Sequence, residues 1–189
     1  MVMLMTYPIN EINKEISIPY PLFKSIMGQY FIGQIDFLPT GLSSTTLLVA
    51  LVNPSFSKVN IFVNVVTLTS MQALGFVEFY LVPNLTNGTS STLFSCTNTG
   101  VQPPQTPKGL IQYWQPAQIP INSISIFTRL INSPGTEIVD GGQIILAPGK
   151  SLFVYMGDPQ HLILPLSTRV AFGWYEEKIK DHHHKPHCE

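Results

Sequence analysis

The sequence predicts an all-β fold: an antiparallel β-sandwich of the jelly-roll or immunoglobulin-like kind, with about eight or nine strands. Short segments of alternating apolar and polar residues recur along the chain. Turn residues separate them, and the chain contains 16 Pro and 13 Gly. No apolar pattern of helical period persists for three turns. Strand number alone does not decide between the two kinds of sandwich.

The first part of the chain, residues 1–28, predicts an extended N-terminal arm. Proline recurs there at close spacing, which favours an edge segment over a central strand. Pro21–Met27 has room for one short helical turn, ended by Gly28. The extended piece Glu15–Pro21 is a candidate for an arm exchanged between copies.

Residues 29–177 form the predicted sandwich domain. Val59–Val65 alternates with period two, and Thr45–Val52 is a nearly continuous apolar run. Clusters of Pro, Gly, Asn and Ser end the segments, including turns at Ser133–Gly135 and Asp140–Gly142. The predicted strands are Tyr30–Ile35, Thr45–Val52, Val59–Val65, Phe76–Val82, Leu110–Trp114, Ser123–Ile131, Gln143–Leu146, Ser151–Met156 and Arg169–Glu176.

Residues 84–107 interrupt the strand pattern. The segment is rich in Thr, Asn, Ser and Pro and poor in apolar residues. We interpret it as a long surface loop, and loops of this length are often functional. Residues 178–189 form a flexible His-rich tail.

Charge is scarce in this chain. Asp, Glu, Lys and Arg make up 11% of residues, against roughly 25% in ordinary soluble domains. Charge depletion is typical of buried interface cores, so a homo-oligomer or polymer is one explanation. A monomer with a neutral polar surface is the other. The net charge of −1 gives no electrostatic footprint for nucleic acid.

Export and membrane signals are not evident. Met1–Tyr7 is apolar but too short for a signal-peptide core and has no positive region before it. No stretch approaches the ~20 apolar residues of a membrane span. We therefore expect synthesis in the cytoplasm without a signal peptide.

The two cysteines, Cys96 and Cys188, do not make a disulfide framework. Cys96 lies in the predicted loop and Cys188 is next to last, so we expect both outside the core. They are candidates for cross-links between neighbouring subunits in an oxidising setting. Two free thiols are the alternative.

The tail contains imidazole and thiol ligands suited to a divalent transition metal: His182, His183, His184, His187 and Cys188. A structural zinc site needs ligands fixed by a fold, and no large apolar residue anchors this tail. We expect at most weak metal binding there and no other cofactor.

Other candidate chemistry is sparse. His161, the one histidine outside the tail, has no evident nucleophile or carboxylate partner, so no catalytic site is predicted. Tyr113 and Trp114 are candidates for a sugar-stacking platform, although aromatics on strands more often lie in a core or interface.

Three stretches together carry a resemblance. They are Tyr30-Phe-Ile-Gly33 with Leu51-Val-Asn-Pro54, Leu146-Ala-Pro-Gly-Lys-Ser151, and Arg169-Val-Ala-Phe-Gly-Trp-Tyr-Glu-Glu177. The chain resembles a family of uncharacterised single-domain proteins from spore-forming Firmicutes that end near a Phe-Gly-Trp-Trp/Tyr-Glu-Glu motif. The resemblance covers about residues 25–177. It implies no activity, and it implies a spore habitat by analogy with β-sandwich subunits of spore surfaces and endospore appendages.

Two functional hypotheses follow. The first is a structural, non-catalytic subunit that self-assembles in a spore surface layer or extracellular filament through exposed sheet edges. The second is a carbohydrate- or ligand-binding sandwich that uses Tyr113, Trp114 and the loop at residues 84–107.

Overall fold

The computed structural model describes residues 18–35, 46–70, 75–83, 85–131, 135–157 and 168–179. These residues form one helix and eleven strands. In chain order the elements are α1 Tyr20–Ile26, β1 Tyr30–Gln34, β2 Thr46–Asn53, β3 Val59–Ser70, β4 Gly75–Pro83, β5 Thr89–Ser90, β6 Phe94–Cys96, β7 Leu110–Trp114, β8 Ile124–Ile131, β9 Gly135–Leu146, β10 Lys150–Gly157 and β11 Thr168–Lys178.

The strands build two antiparallel sheets that pack face to face. The five-stranded sheet has the order β6-β1-β11-β3-β9, and the six-stranded sheet has the order β5-β7-β2-β10-β4-β8. This arrangement confirms the predicted all-β sandwich.

The strand order decides between the two kinds of sandwich. Strands pair in the sequence β1 with β11, β2 with β10, β3 with β9 and β4 with β8, as in a long antiparallel ribbon. The ribbon then wraps so that β11 pairs with β3 and β10 pairs with β4. Four nested pairs wrapped into two sheets are the topology of a jelly roll.

The remaining strands, β5, β6 and β7, form an insertion between β4 and β8. β6 pairs with β1 and β7 pairs with β2, so the insertion extends both sheets at the same side. β5 and β6, only two and three residues long, lie within the segment interpreted as a loop. Strands this short carry no readable period, which is why the sequence predicts about nine strands and the structure has eleven.

The main core lies between the sheets. Alternate residues of each long strand point inward, as period two requires. The largest of these side chains include Trp174, Phe79 and Phe172, and all three are fully buried.

Strand β2 is buried on both faces, which explains its continuous apolar run. Leu47, Val49 and Leu51 join the main core. Leu48 and Ala50 join a second cluster on the outer face of the six-stranded sheet. Segments of the insertion cover this cluster, because Leu85 and Ala117 pack against it.

A turn predicted at Asp140–Gly142 is wrong. The backbone stays in one strand, β9, from Gly135 to Leu146. The register with β3 shifts between Val63 and Val65, so the extra residues form a bulge. Glycine favours such bulges as much as it favours turns, and the sequence pattern does not distinguish the two.

The helix α1 lies at the end of the predicted arm and matches the expected helical turn. Pro21 stands in its first turn, and Gly28, with φ of 69°, follows its C-terminus. Of the candidate exchange segment, residues 15–17 lie outside the described residues, while Tyr20 and Pro21 are helical. No helix in the described part of the chain is long and apolar enough to cross a membrane.

Candidate functional site

The predicted metal ligands His182, His183, His184, His187 and Cys188 lie outside the described residues, and so does His161. Across the ranges that are described, no three His, Cys, Asp or Glu side chains come together as a metal-binding group. Weak metal binding by the tail therefore stays a prediction.

Cys96 is not in an exposed loop, contrary to expectation. It lies in β6, is buried in the main core and forms no disulfide. Its thiol is 3.5 Å from the carbonyl oxygen of Gly28. The Thr-, Asn- and Ser-rich sequence around Cys96 does not predict its burial. Cys96 is buried because β6 pairs with β1, which is distant in sequence. A cross-link through Cys96 would require this edge of the sheet to open.

The candidate platform residues Tyr113 and Trp114 point to opposite faces of β7. Tyr113 packs against the main core, and Trp114 packs against the second cluster. Adjacent strand residues always diverge in this way, so the two rings cannot form one sugar-stacking surface. The Trp114 indole N–H also donates to the carbonyl oxygen of Thr86, at 3.3 Å. Trp114 thus holds the segment before β5 against β7.

The closing motif lies on β11 beside α1 and has a structural role at each position. Trp174 is fully buried. Tyr175, on the opposite face, stacks on Phe62 with ring centroids 4.8 Å apart. Burial, with the nearby Glu177 carboxylate, raises the pKa of Tyr175 above its ordinary value.

Glu176 anchors the insertion to β11. Its carboxylate accepts the backbone N–H groups of Lys108 and Gly109 at 2.9 and 2.8 Å and the Trp174 indole N–H at 3.1 Å. A buried carboxylate with three donors is stabilised by charge-assisted hydrogen bonds. Sequence reasoning missed this role, because no local pattern indicates which backbone a distant carboxylate meets.

Glu177 ties α1 to the same strand. It pairs with the Lys24 ammonium at 3.0 Å and accepts a hydrogen bond from the Tyr20 hydroxyl. Burial opposes the charge of Lys24, but its bonds to Glu177 and Tyr20 outweigh that effect and raise the pKa of its ammonium.

An open cleft of about 520 Å³ lies between α1, the end of β11 and residues 105–108. Lys24, Lys108, Glu176 and Glu177 line it. Both carboxylates are already engaged, Glu176 by backbone N–H groups and Glu177 by Lys24. Lys24, Glu176 and Glu177 therefore hold the helix and the insertion in place.

At the opposite side of the sandwich, β8 is the edge strand of the six-stranded sheet and β9 is the edge strand of the five-stranded sheet. These edge strands are eight and twelve residues long. They lie next to each other, since Arg129 of β8 pairs with Glu137 of β9 at 3.1 Å. Within the described chain, no strand pairs with the outer edge of either one.

Large apolar side chains are exposed along both edges. Ile138 and Ile145 project from the outer face of the five-stranded sheet, and Ile138 is 65% exposed. Phe76 and Leu130, which are cross-strand partners, are exposed on the other sheet, and so is Ile124. We call this surface, defined by Phe76, Ile124, Leu130, Ile138 and Ile145, the β8/β9 side.

The pattern along β8 differs from the sequence prediction. The spacing of apolar residues in the predicted strand Ser123–Ile131 places Ile124, Ile126 and Leu130 on one face. The register with β4 shifts at Ile126, where the strand bulges. Ile126 therefore packs against the main core while Ile124 and Leu130 are exposed.

Comparison with known proteins identifies a family for this chain but gives no activity. A family model described as "Family of unknown function (DUF6143)" matches residues 5–181. No curated protein matches the chain. No solved structure matches it either.

Proposed function

Because the chain belongs to a family of unknown function, DUF6143, we propose its function from its own surfaces: it is a non-catalytic structural subunit that self-assembles through the β8/β9 side. Copies join edge to edge and extend both sheets. Backbone groups of β8 and β9 supply hydrogen bonds, and the exposed apolar residues supply packing across the junction.

The proposal rests on the difference in edge-strand length between the two sides of the sandwich. At one side the sheets end in β5 and β6, which are two and three residues long. Short edge strands are a common way to prevent association. At the other side the edges are long and flanked by exposed Ile, Leu and Phe. Among the edge strands that the structure describes, β8 and β9 are the ones long enough to act as a template for another strand.

Each long edge keeps a regular stretch despite its bulge. Residues 135–140 of β9 pair in continuous register with β3, and residues 127–131 of β8 pair in continuous register with β4. Ile138 and Leu130 lie within these stretches. A neighbouring strand would place its own side chains about 4.5–5.5 Å from theirs.

A second copy of this chain is the occupant that the charges favour. The ion pair of Arg129 and Glu137 is neutral as a unit, and the chain as a whole carries few charges. Such a side gives a strongly charged partner little to bind. The β8/β9 side is compatible in charge with the same neutral side of a second copy.

The setting that we propose is a spore surface layer or an extracellular filament. The resemblance to proteins of spore-forming Firmicutes supports this setting by analogy. A subunit of such a layer needs lateral contacts and no catalytic site, which agrees with the surface just described.

Light scattering after size-exclusion chromatography, together with electron microscopy, tests the assembly. We expect the intact chain to form oligomers or polymers as its concentration rises. Ile138→Lys and Leu130→Lys should give monomers, since lysine on an edge strand opposes strand addition.

Ile32→Lys is the matched control. Ile32 is half exposed on β1, between β6 and β11, so it lies on a sheet face away from the long edges. This variant should assemble normally. A chain that stays monomeric at high concentration, or an Ile32→Lys variant that alone blocks assembly, would overturn the proposed surface.

A further inference from the structure

A pocket of about 270 Å³ opens on the outer face of the six-stranded sheet. Val52, Leu110 and Ser151 contribute from β2, β7 and β10, Phe56 contributes from the loop after β2, and Leu85 contributes from the segment after β4. β4 separates this part of the sheet from β8, so the pocket is distinct from the β8/β9 side.

The floor of the pocket contains buried polar groups without partners. Ser151 is fully buried, and its hydroxyl finds no hydrogen-bond partner among the described residues. Its side chain points to the pocket's face of β10, the same face as Phe153. The side-chain carbonyl of Gln112, another lining residue, also lacks a partner within the described chain. Native structures rarely leave such groups unpaired.

Asn53 borders the same pocket, but its side chain faces the core, because the adjacent Val52 faces the pocket. The Asn53 amide N–H₂ donates to the carbonyl oxygens of Val59 and Leu146, at 2.8 and 2.7 Å. These two bonds fix the amide and leave its oxygen as an acceptor with no partner in the part of the chain that is described. On the pocket's own face of the sheet, the wall therefore combines the Gln112 amide oxygen, which accepts, with the Ser151 hydroxyl, which both donates and accepts.

The rest of the lining is neutral and partly aromatic. None of the twelve described lining residues carries a charge. Phe56 lines the mouth of the pocket and is 81% exposed. A ligand for this pocket is accordingly uncharged, rich in hydroxyl donors, and apolar on one face.

We propose that this pocket binds one pyranose unit of a neutral saccharide. Hydroxyl groups of the sugar would satisfy Ser151 and Gln112, and its C–H face would pack on the Phe56 ring. The volume lies just below the range of about 300–1,000 Å³ for drug-sized ligands, which agrees with a single sugar ring. This inference is independent of the proposed assembly, since it concerns another face of the molecule.

Saturation-transfer NMR with the full chain and a panel of methyl pyranosides tests the proposal. We expect transfer from the protein to the ring C–H protons of at least one pyranoside. Phe56→Ala should abolish that signal without affecting folding, because the side chain is exposed. Ser151→Ala should weaken binding by about tenfold. Its melting temperature should be unchanged or raised, because a buried hydroxyl without a partner is removed.

Phe76→Ala is the matched control, since Phe76 is also an exposed phenylalanine but lies on the β8/β9 side. It should leave sugar binding intact and weaken assembly, while Phe56→Ala should do the reverse. Absence of transfer to every pyranoside, or transfer that survives Phe56→Ala, overturns the proposal. Binding of a nucleoside or a peptide amide without any pyranoside overturns the saccharide class.

Discussion

The carboxylate of Glu176 accepts the backbone N–H of Gly109 at 2.8 Å, across 67 residues of sequence. This contact joins the last strand of the jelly roll to the insertion that widens both sheets. Gly109 fits there because a Cβ at its position would lie 2.7 Å from Ile61. The closing motif of the chain is therefore the attachment point of the insertion.

Removing this carboxylate should destabilise the fold. Glu176→Ala leaves three donors without their acceptor, those of Lys108, Gly109 and Trp174. We expect the free energy of unfolding to fall by about 3 kcal/mol, and by about 1.5 kcal/mol for Glu176→Gln, which keeps one oxygen. Urea unfolding followed by tryptophan fluorescence measures both.

Glu137→Gln is the control for that experiment, because its ion pair with Arg129 is about two-fifths exposed. Its cost should stay below about 1 kcal/mol. Equal losses for Glu137→Gln and Glu176→Ala would contradict the anchoring role.

A glycine in the closing motif is required for packing. A Cβ at Gly173 would lie 2.7 Å from the Tyr30 hydroxyl and 2.7 Å from Val65. Gly173→Ala should lower the free energy of unfolding by about 1–3 kcal/mol. Adding Tyr30→Phe should recover part of the loss, and Gly135→Ala, with nothing within 4 Å of the new methyl group, should be nearly neutral. Thermal melts compare the stability of the variants. Similar decreases in stability for Gly173→Ala and Gly135→Ala would refute the steric explanation.

Alkaline pH should destabilise the protein through Tyr80. Burial first, and then the hydrogen bond to Glu78, raise the pKa of Tyr80 from 10.0 to about 12. The unfolded chain therefore ionises at lower pH than the folded one, so stability present below pH 10 is lost as the pH rises toward 12. Tyr80→Phe should make this decline shallower. Denaturant unfolding at a series of pH values measures it, and an unchanged slope would count against the assignment.

The Cys96 thiol should be protected in the folded protein. It is buried against Gly28, and only 6% of the residue is exposed to solvent. In a Cys188→Ser variant, a thiol reagent should react slowly without denaturant and rapidly once the chain unfolds. Fast labelling of the native variant would show that the β6 edge opens readily and would restore Cys96 as a cross-link candidate.

The sequence by itself determined the strand positions, because period two is a local property. The alternation over Val59–Val65 and the apolar run over Thr45–Val52 each predict a strand, and the structure contains β3 and β2 there. The sequence also determined the low charge, from which the expectation of self-association follows. The sequence did not predict short strands such as β5 or bulges such as that at Ile126, because both depend on partner strands distant in the chain.

Only the tertiary structure decided how these pieces meet. The wrapped ribbon order made the sandwich a jelly roll, buried Cys96, and turned Tyr113 and Trp114 to opposite faces. It also separated the short-edged side from the β8/β9 side and brought Gln112 and Ser151 to one pocket. The physical reason is that sheet pairing joins residues far apart in sequence, so edges, burial and pockets belong to the folded pairs of strands and to no single segment.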